Sequence, residues 1–140
     1  RFFTVYGPRQ RPDMAIHTFT KAILNGNPVS MFGDGSTRRD YTYIDDIVDG
    51  VIRCVDRPFR YEIFNLGEHH TTSLRELIDL VSKHCGKSAR TEQKPNQPGD
   101  VEITYADIDH AREVLGYNPR FTMDEGIRRF VAWFRQQFGL

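Results

Sequence analysis

The stretch Val29–Asp46 constrains the fold of this 140-residue chain more than any other part of it. An apolar run leads into a turn where Gly33 and Gly35 flank an aspartate. Two arginines and a run of alternating character follow. Glycine permits tight turns, and alternation is typical of a strand with two unlike faces. The pattern predicts a hairpin-like unit with Arg38 and Arg39 at its mouth. Guanidinium groups there suit a bound phosphate or carboxylate, although a surface hairpin with two solvated arginines explains the same pattern.

The remaining chain alternates between predicted strands and amphipathic helices. Residues 1–6 and 61–66 are predicted as buried strands. Helices are predicted over residues 12–24, 46–56, 73–85, 107–116 and 122–138, several with N-cap or capping-box residues at their starts. Such alternation predicts the α/β or α+β class. The helix over 46–56 is expected to begin at Asp45 and Asp46 and to bury one face, made of Ile47, Val48, Val51, Ile52 and Val55.

Composition argues against two classes of partner. Lys and Arg total 19, as do Asp and Glu, so the net charge is zero with histidine neutral. Nucleic acids and membrane surfaces select a basic face, and we expect neither as a partner. Apolar runs stay well short of the roughly 20 residues of a membrane span. Cys54 and Cys85 fall on apolar helix faces and are predicted to be buried free thiols, which fits a cytoplasmic protein.

Histidines are not predicted to form a metal site. His69 and His70 have no nearby cysteine or acid at metal-ligand spacing, and a loop beside a cleft explains them better. His17, His84 and His110 are expected on helix surfaces. No metal ligand is therefore assigned.

Four motifs, in this order, resemble one family. They are R-F-F-T-V-Y-G-P-R-Q, F-G-D-G-S-T-R-R-D-Y-T-Y-I-D-D, N-L-G and P-G-D-V-x-x-T-Y-A-D. Together they resemble the C-terminal half of nucleoside-diphosphate-sugar epimerases and dehydratases, which are extended short-chain dehydrogenases/reductases. The segments R-P-D-M-A, Q-P-G-D-V and E-G-I-R-R-F-V-A-W look most like those of UDP-glucuronate 4-epimerases.

The resemblance implies an α/β fold made of the last strands of a Rossmann-type parallel sheet plus a small mixed α/β substrate-binding domain. Residues 1–6 and 45–67 would be rear elements of the NAD-binding Rossmann domain, and 7–44 and 68–140 the nucleotide-sugar-binding domain. The N-terminal NAD-binding half would be absent, because the sequence has neither the Gly-rich turn nor the Tyr-x-x-x-Lys pair. No catalytic residue is therefore assigned. The parent enzyme is expected to form a homodimer.

The implied activity is NAD-dependent UDP-sugar 4-epimerisation, with UDP-glucuronate as the expected substrate. Other members of the family remain as alternatives: a UDP-glucose 4-epimerase, a UDP-glucuronate decarboxylase or a sugar-nucleotide dehydratase. A further alternative is a truncated, non-catalytic remnant that binds nucleotide sugars.

The resemblance also implies a UDP site. Arg39 matches the arginine that pairs with the diphosphate, and Asp100 the acid that accepts from the ribose hydroxyls; a turn or cap also explains Asp100. Ser30 and Phe32 match positions whose backbone pairs with uracil. Met14 lies at a helix start where its backbone N–H would meet phosphate.

Four more residues are placed near the sugar and the nicotinamide. Thr4 would face the sugar or phosphate. Arg11 would bind the glucuronate carboxylate; the less favoured alternative is that it braces its loop or pairs with Asp13. Phe2 and Phe3 would lie near the nicotinamide of NAD, and strand packing explains both equally well. Relatives carry a second phosphate-binding arginine where this chain has Gln97, so a second phosphate contact is not assigned; Arg38 and Arg112 remain as substitutes.

Overall fold

The computed structural model describes residues 1–96 and 99–140 and confirms the α/β class. Strands and helices alternate along most of the chain. The strands are β1 (Thr4–Tyr6), β2 (Val29–Phe32), β3 (Arg38–Arg39), β4 (Tyr41–Tyr43), β5 (Thr72–Ser73), β6 (Thr91–Lys94) and β7 (Ile103–Thr104). The helices are α1 (Ala15–Leu24), α2 (Ile44–Asp56), α3 (Leu74–Cys85), α4 (Asp109–Leu115) and α5 (Met123–Phe138). In these two ranges no helix is long and apolar enough to cross a membrane.

Three small sheets hold the strands together. β1 pairs in parallel with β4, and β2 pairs in parallel with β6. β3 lies between β5, which is antiparallel to it, and β7, which is parallel. The two arms of the expected hairpin, β2 and β4, therefore lie in different sheets, and the hairpin prediction is wrong. Local alternation shows that a segment is extended, but it does not identify the strand with which the segment pairs.

The larger core lies between α1, α3 and α5. Their apolar faces meet at side chains such as Ile16, Leu77 and Phe130, each 0% exposed. α3 begins with the predicted capping box: the Ser73 hydroxyl accepts from the Glu76 N–H, and the Glu76 carboxylate accepts from the Ser73 N–H. These contacts satisfy donors that a helix start leaves without partners, which fixes where α3 begins.

His17 belongs to this core, and its expected place on a helix surface is wrong. It is 5% exposed and meets the ring of Phe134 edge-on at 5.0 Å. Burial lowers the pKa of the imidazole, because the cationic form is poorly solvated there. A polar residue on the apolar stripe of α1 is thus accommodated as a neutral aromatic ring.

The smaller core contradicts the predicted inner face of α2. Ile47 is buried, while Val48, Val51, Ile52 and Val55 are 38–76% exposed. The buried face of α2 instead runs through Ile47 and Gly50, where Leu66 and Tyr117 pack closely. The helix is apolar on two sides, and only one of them is covered by the described residues.

The predicted strand over 61–66 is mostly wrong. A parallel ladder joins residues 1–3 to 64–66: the Leu66 N–H donates to the Arg1 carbonyl at 2.9 Å, and the Phe3 N–H to the Leu66 carbonyl at 3.2 Å. Tyr61 is 80% exposed and Ile63 is 41% exposed, so apolar composition misidentified the first half of the segment.

Candidate functional site

Arg39 and Asp100 lie in contact, although they are 61 positions apart in the sequence. β3 carries Arg39, whose Nη1 donates to the Arg38 carbonyl at 2.7 Å and whose Nη2 donates to the Asp100 carboxylate. The Arg39 side chain is 20% exposed and that of Asp100 is 41% exposed. The structure thus brings together the two residues predicted to bind the diphosphate and the ribose, and it places both at the surface of the β5–β3–β7 sheet.

The neighbouring cations have other partners. Arg38 donates from Nε to the Thr71 hydroxyl at 2.9 Å and from Nη2 to the Thr71 carbonyl at 2.7 Å, and it also contacts Glu76. Arg112 pairs with Asp109 of its own helix at 3.4 Å. Arg38 therefore braces the segment before α3, and the role of either residue as the second phosphate-binding arginine stays a prediction. Gln97, which stands at that position, lies outside the described residues.

Asp40, which directly follows Arg39, anchors the loops beside the site, and sequence reasoning did not assign it a role. Its carboxylate is fully buried. One oxygen accepts from the Thr42 hydroxyl and the Glu68 N–H, both at 2.9 Å; the other accepts from the His69 N–H at 3.1 Å and the Ala106 N–H at 3.0 Å. Asp40 thereby ties β4 to two loops beside the site. The sequence feature that could have indicated this role is the position of Asp40 directly after Arg39.

The loop that follows Gly67 is held tightly against Asp40. A Cβ at Gly67 would lie 2.3 Å from the Ala106 Cβ, so only glycine fits. His69 has φ +64°, an uncommon conformation for a residue with a side chain, and its Nδ1 lies 3.0 Å from the Ala106 carbonyl. Hydrogen bonds at both its backbone and its ring hold His69 there.

A cluster of acidic and phenolic groups lies behind the site. Oε2 of Glu68 and the hydroxyl of Tyr6 are buried, and neither has a hydrogen-bond partner among the described residues. Burial and the nearby carboxylates of Asp46 and Asp40 raise the pKa of Glu68 to about 7. Asp46 accepts from the N–H groups of Arg120 and Phe121, both at 3.0 Å, so it anchors a loop and does not cap its own helix as predicted.

Tyr41 lies close to the Arg39–Asp100 pair. Burial raises the pKa of its phenol to about 12, while the charge of Arg39 opposes this and that of Asp100 adds to it. The phenol therefore stays neutral and adds no charge beside the pair.

One edge of β2 is available for hydrogen bonding. The N–H groups of Val29 and Gly33 donate toward β6 at 2.8 and 2.9 Å. Because alternate residues of a parallel strand direct their backbone groups to the same side, those of Ser30 and Phe32 point away from β6. Within the described ranges no strand pairs with that edge. This orientation matches a backbone that could pair with a planar edge such as that of uracil.

A cavity of about 510 Å³ lies between β1 and the start of α1. Its lining includes all five remaining predicted site residues, together with Gln10: Phe2, Phe3, Thr4, Arg11 and Met14. Phe2 is 59% exposed, whereas Phe3 packs against the smaller core. The Met14 N–H donates to the Arg11 carbonyl at 3.2 Å, so the backbone donor that was predicted to meet phosphate already has a partner. The donors without partners at this helix start belong to the residues that follow Met14.

Arg11 pairs with Asp13, which is the alternative to ligand binding by this residue. Its Nε and Nη2 donate to the two carboxylate oxygens of Asp13 at 3.0 and 2.6 Å. Both side chains are more than 60% exposed, and the pair lowers the pKa of Asp13. Binding of a ligand carboxylate by Arg11 stays a prediction.

Metal-ligating side chains do not gather in the described part of the chain: no group of three or more histidine, cysteine, aspartate or glutamate residues is suitably placed. Both cysteines there are free thiols; Cys85 is buried as predicted, whereas Cys54 is only half-buried.

Comparison with known proteins places this chain in one family. Residues 1–130 match the family model described as GDP-mannose 4,6 dehydratase. A UDP-glucuronate 4-epimerase of Thermodesulfobacterium geofontis is 41% identical over 141 aligned residues, which cover 100% of this chain and 43% of that enzyme. The chain thus spans less than half the length of this relative.

Two solved structures share the fold. One is a UDP-glucuronic acid 4-epimerase from Bacillus cereus in complex with UDP-glucuronic acid and NAD, with a TM-score of 0.93 at 37% identity. The match covers 99% of this chain and 45% of the Bacillus cereus chain. A UDP-glucose 4-epimerase from Thermotoga maritima, with UDP-glucose, has a TM-score of 0.92 at 34% identity and covers 98% and 45%. The family match over most of the chain confirms the resemblance of the four motifs: the chain belongs to the GDP-mannose 4,6-dehydratase family, a group of nucleotide-sugar epimerases and dehydratases among the extended short-chain dehydrogenases/reductases.

Proposed function

We propose that this chain is the nucleotide-sugar-binding portion of an NAD-dependent UDP-sugar 4-epimerase, and that UDP-glucuronate is its substrate. The contact between Arg39 and Asp100 carries the proposal, because it joins a permanent cation and a carboxylate at one surface. A guanidinium fork suits a diphosphate, and a carboxylate accepts from two ribose hydroxyls. The solved relatives named above, with UDP-glucuronic acid or UDP-glucose, support this choice of ligand.

The proposed pose uses three parts of the site. Arg39 binds the diphosphate, Asp100 accepts from the ribose, and the free edge of β2 at Ser30 and Phe32 pairs with uracil. Thr4 and Met14 then flank the phosphate or the sugar from the cavity at the start of α1. The nucleotide is thereby held firmly while the sugar is held loosely, which suits a 4-keto sugar that must turn over between two hydride transfers.

The exposed side of α2 fits the proposed division of the chain. Residues 1–6 and 45–67 are proposed to complete the NAD-binding domain, and 7–44 and 68–140 to form the sugar-nucleotide domain. Val48, Val51, Ile52 and Val55 form an apolar surface, which is the property expected where another part of the protein packs. The smaller core joins α4 to α2, so the two proposed parts share packing.

NAD fits this chain only in part. Exposed Phe2 offers an apolar surface beside the cavity where a nicotinamide ring could rest. The sequence has no Gly-rich turn between a strand and a helix to receive the pyrophosphate. When bound, NAD supplies the hydride acceptor and donor. The residues of this chain are assigned binding and orientation only, and no chemical step is assigned to them.

Arg39→Ala is expected to weaken UDP binding about tenfold, because a charge-assisted contact to the diphosphate is lost. Part of this loss is offset, since UDP no longer has to displace Asp100 from Arg39. Isothermal titration calorimetry of the 140-residue protein with UDP measures this. Arg128→Ala removes an equal charge from an exposed site on α5 and should leave UDP affinity unchanged. Equal affinity of Arg39→Ala and wild type, with the circular-dichroism spectrum retained, would return Arg39 to a solvated surface role.

Arg11→Leu is expected to lower the preference for UDP-glucuronate over UDP-glucose about fivefold, the upper end for an exposed ion pair. Arg11 would exchange Asp13 for the substrate carboxylate, which UDP-glucose lacks. Titration with both nucleotide sugars measures the ratio, and Lys21→Leu on the exposed side of α1 is the charge-matched control. Equal losses for the two sugars would leave Arg11 as a brace for its loop and would favour the neutral-sugar epimerase.

A further inference from the structure

The Arg39–Asp100 contact means that a bound anion must compete with a carboxylate of the protein itself. The guanidinium of Arg39 uses Nη1 for the Arg38 carbonyl and Nη2 for Asp100. With its side chain 20% exposed, it has little free surface for a second anion. A phosphate that approaches Arg39 therefore meets the Asp100 carboxylate first.

We propose that Asp100 makes this site selective for nucleoside diphosphates over bare diphosphate. This inference rests on the proposed function. A nucleoside diphosphate displaces the Asp100 carboxylate from Arg39 with its phosphates and offers that same carboxylate two ribose hydroxyls. Each of the two charged groups exchanges one partner for another. Inorganic pyrophosphate supplies the phosphates alone and leaves the displaced carboxylate with no donor.

Electrostatics strengthen the difference. The displaced carboxylate would stay near the bound phosphates, where like charges repel across a partly buried surface. Arg38 cannot balance this charge, because Thr71 and Glu76 already hold its guanidinium. Tyr41 beside the pair cannot balance the charge either, because burial raises the pKa of its phenol to about 12 and the group is neutral. An anion that lacks a ribose therefore binds less favourably, because the displaced Asp100 carboxylate gains no new hydrogen-bond donor.

The test compares wild type with Asp100→Asn, using UDP and inorganic pyrophosphate as probes in calorimetric titrations. Asp100 is 41% exposed, and asparagine has nearly the same shape, so the fold is expected to persist. Pyrophosphate should bind Asp100→Asn about fivefold more tightly than wild type, since an ion pair of this exposure is worth about that factor. UDP affinity should stay level or fall, because the ribose loses its charged acceptor.

Glu102→Gln is the matched control, because it removes the same charge from the same segment at an exposed residue whose carbonyl, not its carboxylate, accepts from the Arg38 N–H at 2.8 Å. It should not change the ratio of the two affinities. If pyrophosphate affinity is unchanged or falls in Asp100→Asn while wild type binds UDP, this inference is overturned and the proposed function stands. If folded wild type does not bind UDP, both are overturned.

Discussion

Asp40→Ala is expected to lower the free energy of unfolding by about 3–5 kcal/mol, a large share of the roughly 5–15 kcal/mol that stabilises a typical domain. The Asp40 carboxylate is 0% exposed and accepts four hydrogen bonds. Three of the four donors are backbone N–H groups, those of Glu68, His69 and Ala106. Without the carboxylate they lose their acceptor in an interior that water does not readily reach, and each such loss costs about 1–3 kcal/mol.

Urea unfolding followed by circular dichroism measures this loss, with Asp49→Ala as the control. Asp49 pairs with Arg53 one turn along α2 in a partly exposed contact worth about 0.3–0.5 kcal/mol. Asp40→Asn preserves shape, but its NH₂ group faces two of the four donors, so an intermediate loss is expected. A loss below about 1 kcal/mol for Asp40→Ala would show that water replaces the carboxylate and that Asp40 does not hold the loops beside Arg39.

Helices were predictable because their signals are local. Capping at Ser73 and Glu76, and the left-handed Gly86 that ends α3, follow from residues within a few positions of each other. α5 likewise shows its buried stripe in the sequence: Ile127, Phe130 and Phe134 are buried as predicted, while Phe138, predicted in the same stripe, is 52% exposed. These predictions need only residues within a few turns of one helix, and they are confirmed except at Phe138 near the end of α5.

Strand partners and covered faces were not predictable, because both depend on distant residues. β2 and β4 lie within one short stretch, yet their partners are residues 91–94 and 4–6. α2 is apolar on two sides, and hydrophobic periodicity alone does not show which of them the rest of the chain covers.

The residues of the candidate site show the same difference between what the sequence indicates and what depends on distant contacts. Arg39 and Asp100 were identified through motifs that resemble a family, and the structure adds that they contact each other. Asp40 and Glu68 were missed because their importance lies in burial and in partners remote in sequence. For Asp40 the partners lie up to 66 positions away. An aspartate beside two arginines suggests a surface charge until its depth is known.

Glu68→Gln is expected to stabilise the fold at pH 8 by about 2 kcal/mol and to change little at pH 4. Oε2 of Glu68 is buried without a hydrogen-bond partner among the described residues. The carboxylates of Asp46 and Asp40 lie nearby, so burial and repulsion together raise the pKa of Glu68 to about 7. An ionised Glu68 is therefore unfavourable in the folded state, and glutamine keeps the shape without the charge.

The direction of the pH dependence follows from proton binding. An unfolded glutamate has a pKa of 4.5, so between that pH and about 7 the folded protein holds a proton that the unfolded chain has lost. Stability contributed by this group is complete below pH 4.5, falls as the pH rises through the window and is lost above pH 7. The pKa difference corresponds to about 3.4 kcal/mol, and partial contact with solvent reduces this to about 2 kcal/mol.

Urea unfolding of wild type and Glu68→Gln at pH 4, 6 and 8 measures the effect, with exposed Glu113→Gln as the control for removal of one carboxylate. The gain from Glu68→Gln should grow from near zero to its full value across this range, while Glu113→Gln should differ little from wild type at any pH. A gain that stays below about 0.5 kcal/mol at pH 8 would contradict the prediction. Water would then reach Oε2, and the carboxylate would ionise at no cost beside Asp40 and Asp46.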